Sequence, residues 1–121
     1  MPPRYLVSGG LPLHGTVRPA GNKNAALPAI AASLLADGPV ELANIPRIRD
    51  VDAMLALLAD LGASVSWTGP NTVTLDARAA RPKALDPELC TRIRASILFA
   101  GPLLARFGAV TLPPPGGDVI G

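Results

Sequence analysis

The sequence is poor in the residues that build metal and disulfide sites. Cys90 is its only cysteine and His14 its only histidine. A single cysteine excludes an internal disulfide, which fits a reducing compartment. One Cys and one His leave a zinc site short of ligands, so no metal is expected. Aromatics are also scarce, with Tyr5, Trp67, Phe99 and Phe107 making up the whole set. The net charge is only +2, and the basic residues are scattered apart from a loose group at Arg78, Arg81 and Lys83. Without a basic, ring-bearing surface, nucleic acid is not an expected partner. The longest apolar runs, 25–36 and 95–105, fall short of the roughly 20 residues that cross a bilayer. The opening MPPRYLVSGG carries no secretory leader pattern, so no membrane partner and a cytoplasmic location are expected. GxxxxGK[ST], GxGxxG and HExxH are all missing, as is a Ser-His-Asp pattern. Nucleotide-loop, dinucleotide and zinc-protease chemistry therefore have no foothold, and no cofactor is expected.

What remains is an apolar, turn-rich chain. Of 121 residues, 49% are hydrophobic, enough for one domain whose interior Ala, Leu and Val must fill. Twelve glycines and fourteen prolines imply frequent turns. Residues 4–8 and 15–19 read as short strands. An apolar helix is expected over 24–36, with Pro28 limiting where it begins and Gly38-Pro39 stopping it. Residues 39–45 alternate like a strand. A second helix begins near Arg49, with Asp50 as its cap. Met54, Leu55, Leu57, Leu58 and Leu61 form its apolar stripe, and Gly62 ends it. Residues 63–67 and 71–77 read as a hairpin turned by Thr68-Gly69-Pro70. After a loop at 78–87, a third helix is expected over 87–107, kinked or divided at Gly101-Pro102. Residues 109–112 return as a strand before the loop PPPGGDVIG. The helix-end, glycine, strand spacing of LLADLGASV recurs in LLARFGAVT and, one residue shorter, in LLADGPVEL. This echo points to a repeated α/β unit.

Three places combine residue types suited to chemistry. In Gly21-Asn22-Lys23-Asn24, a lysine opens an apolar helix. A cation there is disfavoured by about 0.3–1 kcal/mol unless an anion sits nearby. Either Lys23 is solvated, or it and the free backbone N–H groups receive a carboxylate or phosphate. Arg94 lies in the increasingly apolar TRIRASILFAG, where it either snorkels to water or grips an anion in a cleft. Asp118 sits at the tip of a loop stiffened by prolines and bent by two glycines. It is either an ordinary turn aspartate or a carboxylate placed over a site.

Four stretches then fall together: AGNKNAALP, IRDVDAMLALLADLGA, RASILFAGPLLARFG and LPPPGGDVIG. In this order and spacing the chain resembles the UDP-N-acetylglucosamine enolpyruvyl transferases over essentially all 121 residues. The resemblance implies an α/β fold of βαβαββ units arranged in an inside-out barrel, with one unit and part of a second present here. It implies that 1–20 pack with a further domain and that 21–121 form part of a barrel domain. It implies that phosphoenolpyruvate and UDP-N-acetylglucosamine are the substrates. Lys23 matches the lysine that neutralises phosphoenolpyruvate, Asn24 its substrate-contacting neighbour, and Arg94 an arginine that contacts the UDP-sugar. Asp118 falls where most members carry a proton-donating cysteine and some carry aspartate. As a proton donor, Asp118 needs a pKa raised toward the working pH. It cannot form the thioether through which fosfomycin inactivates cysteine-bearing members. Family members are several times longer, so the expectation is an N-terminal portion of such an enzyme, inactive by itself. The alternatives are a non-catalytic UDP-sugar-binding fragment and a shikimate-type transferase.

Overall fold

The apolar stripe of the central helix organises everything around it. In the computed structural model, which describes residues 1–117, the regular elements run α1 (Lys23–Ala32), β1 (Val40–Leu42), α2 (Arg49–Asp60), β2 (Ser64–Trp67), β3 (Val73–Asp76), α3 (Pro87–Arg92) and α4 (Ala100–Phe107). Short 3-10 turns cover Ser33–Leu35 and Arg94–Phe99. Val51, Met54, Leu55 and Leu58 stand at i, i+3, i+4 and i+7 of α2, and all four are buried. Full burial of one such side chain contributes about 1.5–3 kcal/mol, so α2 has a strong reason to pack centrally. Its neighbours are α1, α3 and β2.

The strands form one antiparallel sheet in the order β1-β3-β2. Val65 and Val40 both stand opposite Leu75, one from each neighbouring strand. β3 is therefore central, and its alternating Val73 and Leu75 are fully buried while Thr74 and Asp76 are half-buried. The hairpin turn closes where the sequence predicts, with Thr68 N–H donating to the Thr72 carbonyl at 2.9 Å. The core is continuous from Ile30 and Leu34, through Met54, Leu57, Leu58 and Leu61, to Phe99 and Leu103. The α/β class expected from the sequence is the class observed.

Several boundaries differ from expectation, each for a physical reason. Residues 4–8 and 15–19 are not strands. The whole stretch 1–20 is irregular and exposed, with Tyr5 and Val17 both 88% accessible. A strand needs a partner edge for its N–H and C=O groups, and among the described residues none lies alongside. Residues 109–112 likewise form no strand. Val110 and Leu112 pack against the core as irregular chain. The repeated unit thus holds for 34–42 and 57–65, but 103–111 stops at its glycine cap, Gly108.

The expected third helix is split at a different place. Asp86 caps α3 by accepting from Glu88 N–H at 2.8 Å and Leu89 N–H at 3.2 Å, with Pro87 at the first helical position. The break comes at Ile93, which is extended at φ −143 and ψ 144. Gly101-Pro102 does not break the chain. Pro102 is the third residue of α4, where a backbone N–H has no helical acceptor to lose. Asp50 is not the cap of α2 either. The capping position is Ile48, which offers no side-chain bond, and Asp50 falls inside the first turn.

Candidate functional site

The residues around Lys23 are held by close backbone contacts. Asn22 caps α1, its Oδ1 accepting from Ala25 N–H at 3.1 Å. Gly21 lies so tightly against the loop between β1 and α2 that a Cβ there would stand 1.8 Å from the Asn44 carbonyl oxygen. Asn44 itself adopts φ 55, a left-handed conformation that asparagine tolerates better than most residues. The same loop is clasped to the β2–β3 hairpin from both sides of one residue. Ile45 N–H donates to the Asn71 carbonyl at 2.8 Å, and Asn71 Nδ2 donates to the Ile45 carbonyl at 2.9 Å. Arg47 lies over the Trp67 ring, 3.9 Å from its centroid.

These contacts deliver the start of α2 to the start of α1. Lys23 Nζ stands 2.9 Å from Asp50 Oδ2, and the two side chains are 47% and 35% accessible. The anion called for at the N-terminus of α1 is therefore supplied, in this structure, by Asp50. Asp50 is well placed as a carboxylate, because the first turn of α2 favours negative charge. A pair this exposed contributes at most about 1 kcal/mol to stability. Asn24, the next residue, is exposed on the first turn of α1. Four residues on, Pro28 has no N–H to offer the Asn24 carbonyl.

Arg94 begins the 3-10 turn directly after the Ile93 break, and it is exposed while Ile93 and Ser96 beside it are buried. Two glycines bring the end of the described chain against it. Gly116 N–H donates to the Cys90 carbonyl at 2.9 Å, and a Cβ on Gly116 would stand 1.8 Å from the Thr91 oxygen. Gly117, at φ +89, places its would-be Cβ 3.1 Å from the Arg94 nitrogen. The Gly-Gly pair is what lets the proline-stiffened loop lie on the α3 end. Asp118 lies outside the described residues.

A cleft of about 640 Å³ separates α2 from α3. Arg49, Asp50, Asp52 and Arg92 are its polar lining, and Ala53, Ala56, Leu89 and Ile93 are its apolar lining. Asp50 thus connects the cleft to Lys23, and Ile93 connects it to Arg94. Lys23 and Asp50 are brought into direct contact, and Arg94 is brought to the glycine loop. The two groups meet the same cleft through these neighbours. Cys90 does not take part. It is fully buried on α3, and desolvation pushes its thiol above the ordinary range, so it stays a neutral core residue. Among the described residues no group of three His, Cys, Asp or Glu side chains converges as a metal site would, and no helix is long and apolar enough to cross a membrane.

Asp50 and the Ile45–Asn71 clasp escape sequence reasoning as site elements. Asp50 is 27 residues from Lys23, and nothing local in the sequence pairs them. The doubled glycine at 116–117 was a readable signal for a tight turn, though not for what the turn would touch.

This arrangement, an α/β domain with its cationic and glycine-rich segments gathered at the helix starts, has the fold of an enolpyruvyl transferase. The chain superposes on the crystal structure of the enolpyruvyl transferase NikO from Streptomyces tendae with a TM-score of 0.69 and 32% sequence identity, over 83% of this chain and 23% of that one. The model of the EPSP synthase (3-phosphoshikimate 1-carboxyvinyltransferase) family matches residues 7–121, and the chain belongs to that family. Within it, the chain is 58% identical over 120 residues to a UDP-N-acetylglucosamine 1-carboxyvinyltransferase of Bradyrhizobium diazoefficiens, covering 99% of this chain and 28% of that protein. It is 50% identical over 117 residues to the enzyme of that name from Treponema denticola, covering 97% and 28%. The chain thus spans little more than a quarter of the length of the curated relatives it matches.

Proposed function

We propose that the intact protein transfers the enolpyruvyl group of phosphoenolpyruvate to the 3-hydroxyl of UDP-N-acetylglucosamine and releases phosphate, in the cytoplasm, as the opening step of peptidoglycan precursor synthesis. The observation that carries this reading is the 58% identity to the Bradyrhizobium enzyme across 99% of the chain. Lys23 and Asn24 receive phosphoenolpyruvate, and Arg94 contacts the UDP-sugar. Asp118 gives a proton to C3 of phosphoenolpyruvate as the sugar hydroxyl adds to C2 and passes its own proton to a base. Phosphate then leaves the tetrahedral intermediate, and C3 loses a proton to restore the double bond.

The placement of Lys23 supports this assignment. An ammonium at the start of α1, partly accessible and fixed from a second helix, can meet a small polyanion with little reorganisation. The exposed Ile97, Leu98 and Leu104 support a longer intact chain, because its remaining units would cover them. Residues 1–20, which lie along no strand edge among the described residues, pack with the further domain in this reading, and 21–121 form part of the barrel domain.

The test is phosphate release by the intact protein with phosphoenolpyruvate and either UDP-N-acetylglucosamine or shikimate 3-phosphate as acceptor. Release with the UDP-sugar only, lost in Lys23→Ala and Asp118→Ala, is expected. Turnover of shikimate 3-phosphate instead, or full activity in both variants, would overturn it. Failure to turn over either acceptor, with the UDP-sugar still bound, would favour a binding protein without catalysis.

A further inference from the structure

The ion pair between Lys23 and Asp50 joins two helices that are remote in sequence, and several contacts anchor the loop that leads into α2. Gly21 packs on the Asn44 backbone, Asn71 bonds both sides of Ile45, and Arg47 stacks on Trp67. All three fix the segment that carries Asp50 into α2. Lysine is otherwise a point charge on a long, freely rotating stem. Its ammonium has three N–H donors, so engaging Asp50 does not preclude a second, anionic acceptor.

We propose that Asp50 is a positioning residue, which holds the Lys23 ammonium at the rim of the α2–α3 cleft so that it meets an incoming phosphoenolpyruvate already oriented. This rests on the reading of Lys23 as the phosphoenolpyruvate-binding lysine. Asp50 touches no reacting atom. It acts by removing rotamer freedom from Lys23 before the substrate arrives. Two effects oppose each other here. The Asp50 charge repels an anion, and the ordering of Lys23 favours it. Ordering is the larger effect if Asp50→Asn weakens binding, and repulsion is the larger if it tightens binding.

The experiment is calorimetric titration of phosphoenolpyruvate into the full-length protein, with steady-state kinetics alongside, for Asp50→Asn, Asp50→Glu, Lys23→Ala and the double variant Asp50→Asn/Lys23→Ala. Asp50→Asn is isosteric and partly exposed, so the core is untouched and melting temperatures serve as the control. Asp50→Asn should weaken phosphoenolpyruvate binding about threefold to fivefold, the range of a well-coupled exposed pair. KM should rise with it while kcat changes by less than about twofold, because the lost interaction serves substrate binding and transition state alike. Asp50→Glu should recover part of the affinity. In the Lys23→Ala background, Asp50→Asn should change nothing further.

Tighter binding in Asp50→Asn would make Asp50 a competitor for the ammonium and overturn the proposal. Equal losses with and without Lys23 would also overturn it, since Asp50 would then act independently. If Lys23→Ala weakens binding and Asp50→Asn does not, only the positioning role falls. If Lys23→Ala leaves phosphoenolpyruvate affinity unchanged, the role of Lys23 and that of Asp50 fall together.

Discussion

Replacing Gly21 with alanine probes the contact on which the Lys23 region depends. A Cβ at this position would lie 1.8 Å from the Asn44 carbonyl oxygen, 2.8 Å from its carbon and 2.9 Å from Pro46 Cδ. Ordinary contact begins near 3.4 Å, so the two backbones must separate by about 1.6 Å. Neither side yields easily. Asn22 is committed to capping α1, and the 44–46 segment is pinned by Asn71. Overpacking of this kind costs about 1–3 kcal/mol. The larger effect falls on the proposed site, because Gly21 leads into α1 and Asn44–Pro46 lead into α2, so forcing them apart strains the Lys23–Asp50 contact. A displacement near 1 Å in a substrate-positioning group lowers catalysis by on the order of 10²-fold. The assay is phosphate release by the intact protein, with thermal denaturation beside it. Gly38→Ala is the control, since nothing lies within 4 Å of a Cβ there. Gly21→Ala should melt earlier and lose about 10²-fold in kcat/KM, while Gly38→Ala stays close to wild type. If Gly21→Ala matched the control in both measurements, the close approach would not be what positions Lys23.

Two other outcomes follow from the same structure and sequence. Fosfomycin should leave the intact enzyme active after prolonged incubation, because the carboxylate of Asp118 cannot form the thioether. Time-dependent, irreversible loss of activity would contradict that assignment. At acid pH, the Arg78 side chain, bonded to Asp76 through Nε at 3.0 Å, holds the Asp76 carboxyl at about 2. The ordinary carboxylate value is about 3.9, so the folded state binds this proton less readily than the unfolded state. The stabilisation is therefore complete above about pH 4 and lost as pH falls through about 2. Urea midpoints measured across that window should decline less steeply in Asp76→Asn than in wild type, and identical slopes would remove Asp76 from the acid response.

The opening of α1 shows how one structure can answer two questions at once. The helix dipole favours a negative partner for Lys23, and Asp50 supplies one from the first turn of α2. A solvated surface lysine would have needed neither the clasped loop nor the tight glycine contact.

Local rules made much of this protein legible from its sequence. The leucine stripe of α2, the Gly62 stop, the 68–72 turn and the start of α3 at Pro87 are each set by residues within a few positions of one another. The ordered motifs that mark the family are likewise continuous stretches of chain. Other features depended on what lies across space. Residues 4–8, 15–19 and 109–112 have strand-like composition, yet a ladder needs a neighbouring edge, and that is a property of the fold. Gly101-Pro102 looked like a break because a proline's position within a helix cannot be judged until the helix start is known. Asp50 looked like a cap and is instead the partner of a lysine 27 residues away. Tertiary packing decided that pairing, because the packing of α1 on α2, with the Gly21–Asn44 contact and the Ile45–Asn71 clasp, brings their first turns within hydrogen-bonding distance.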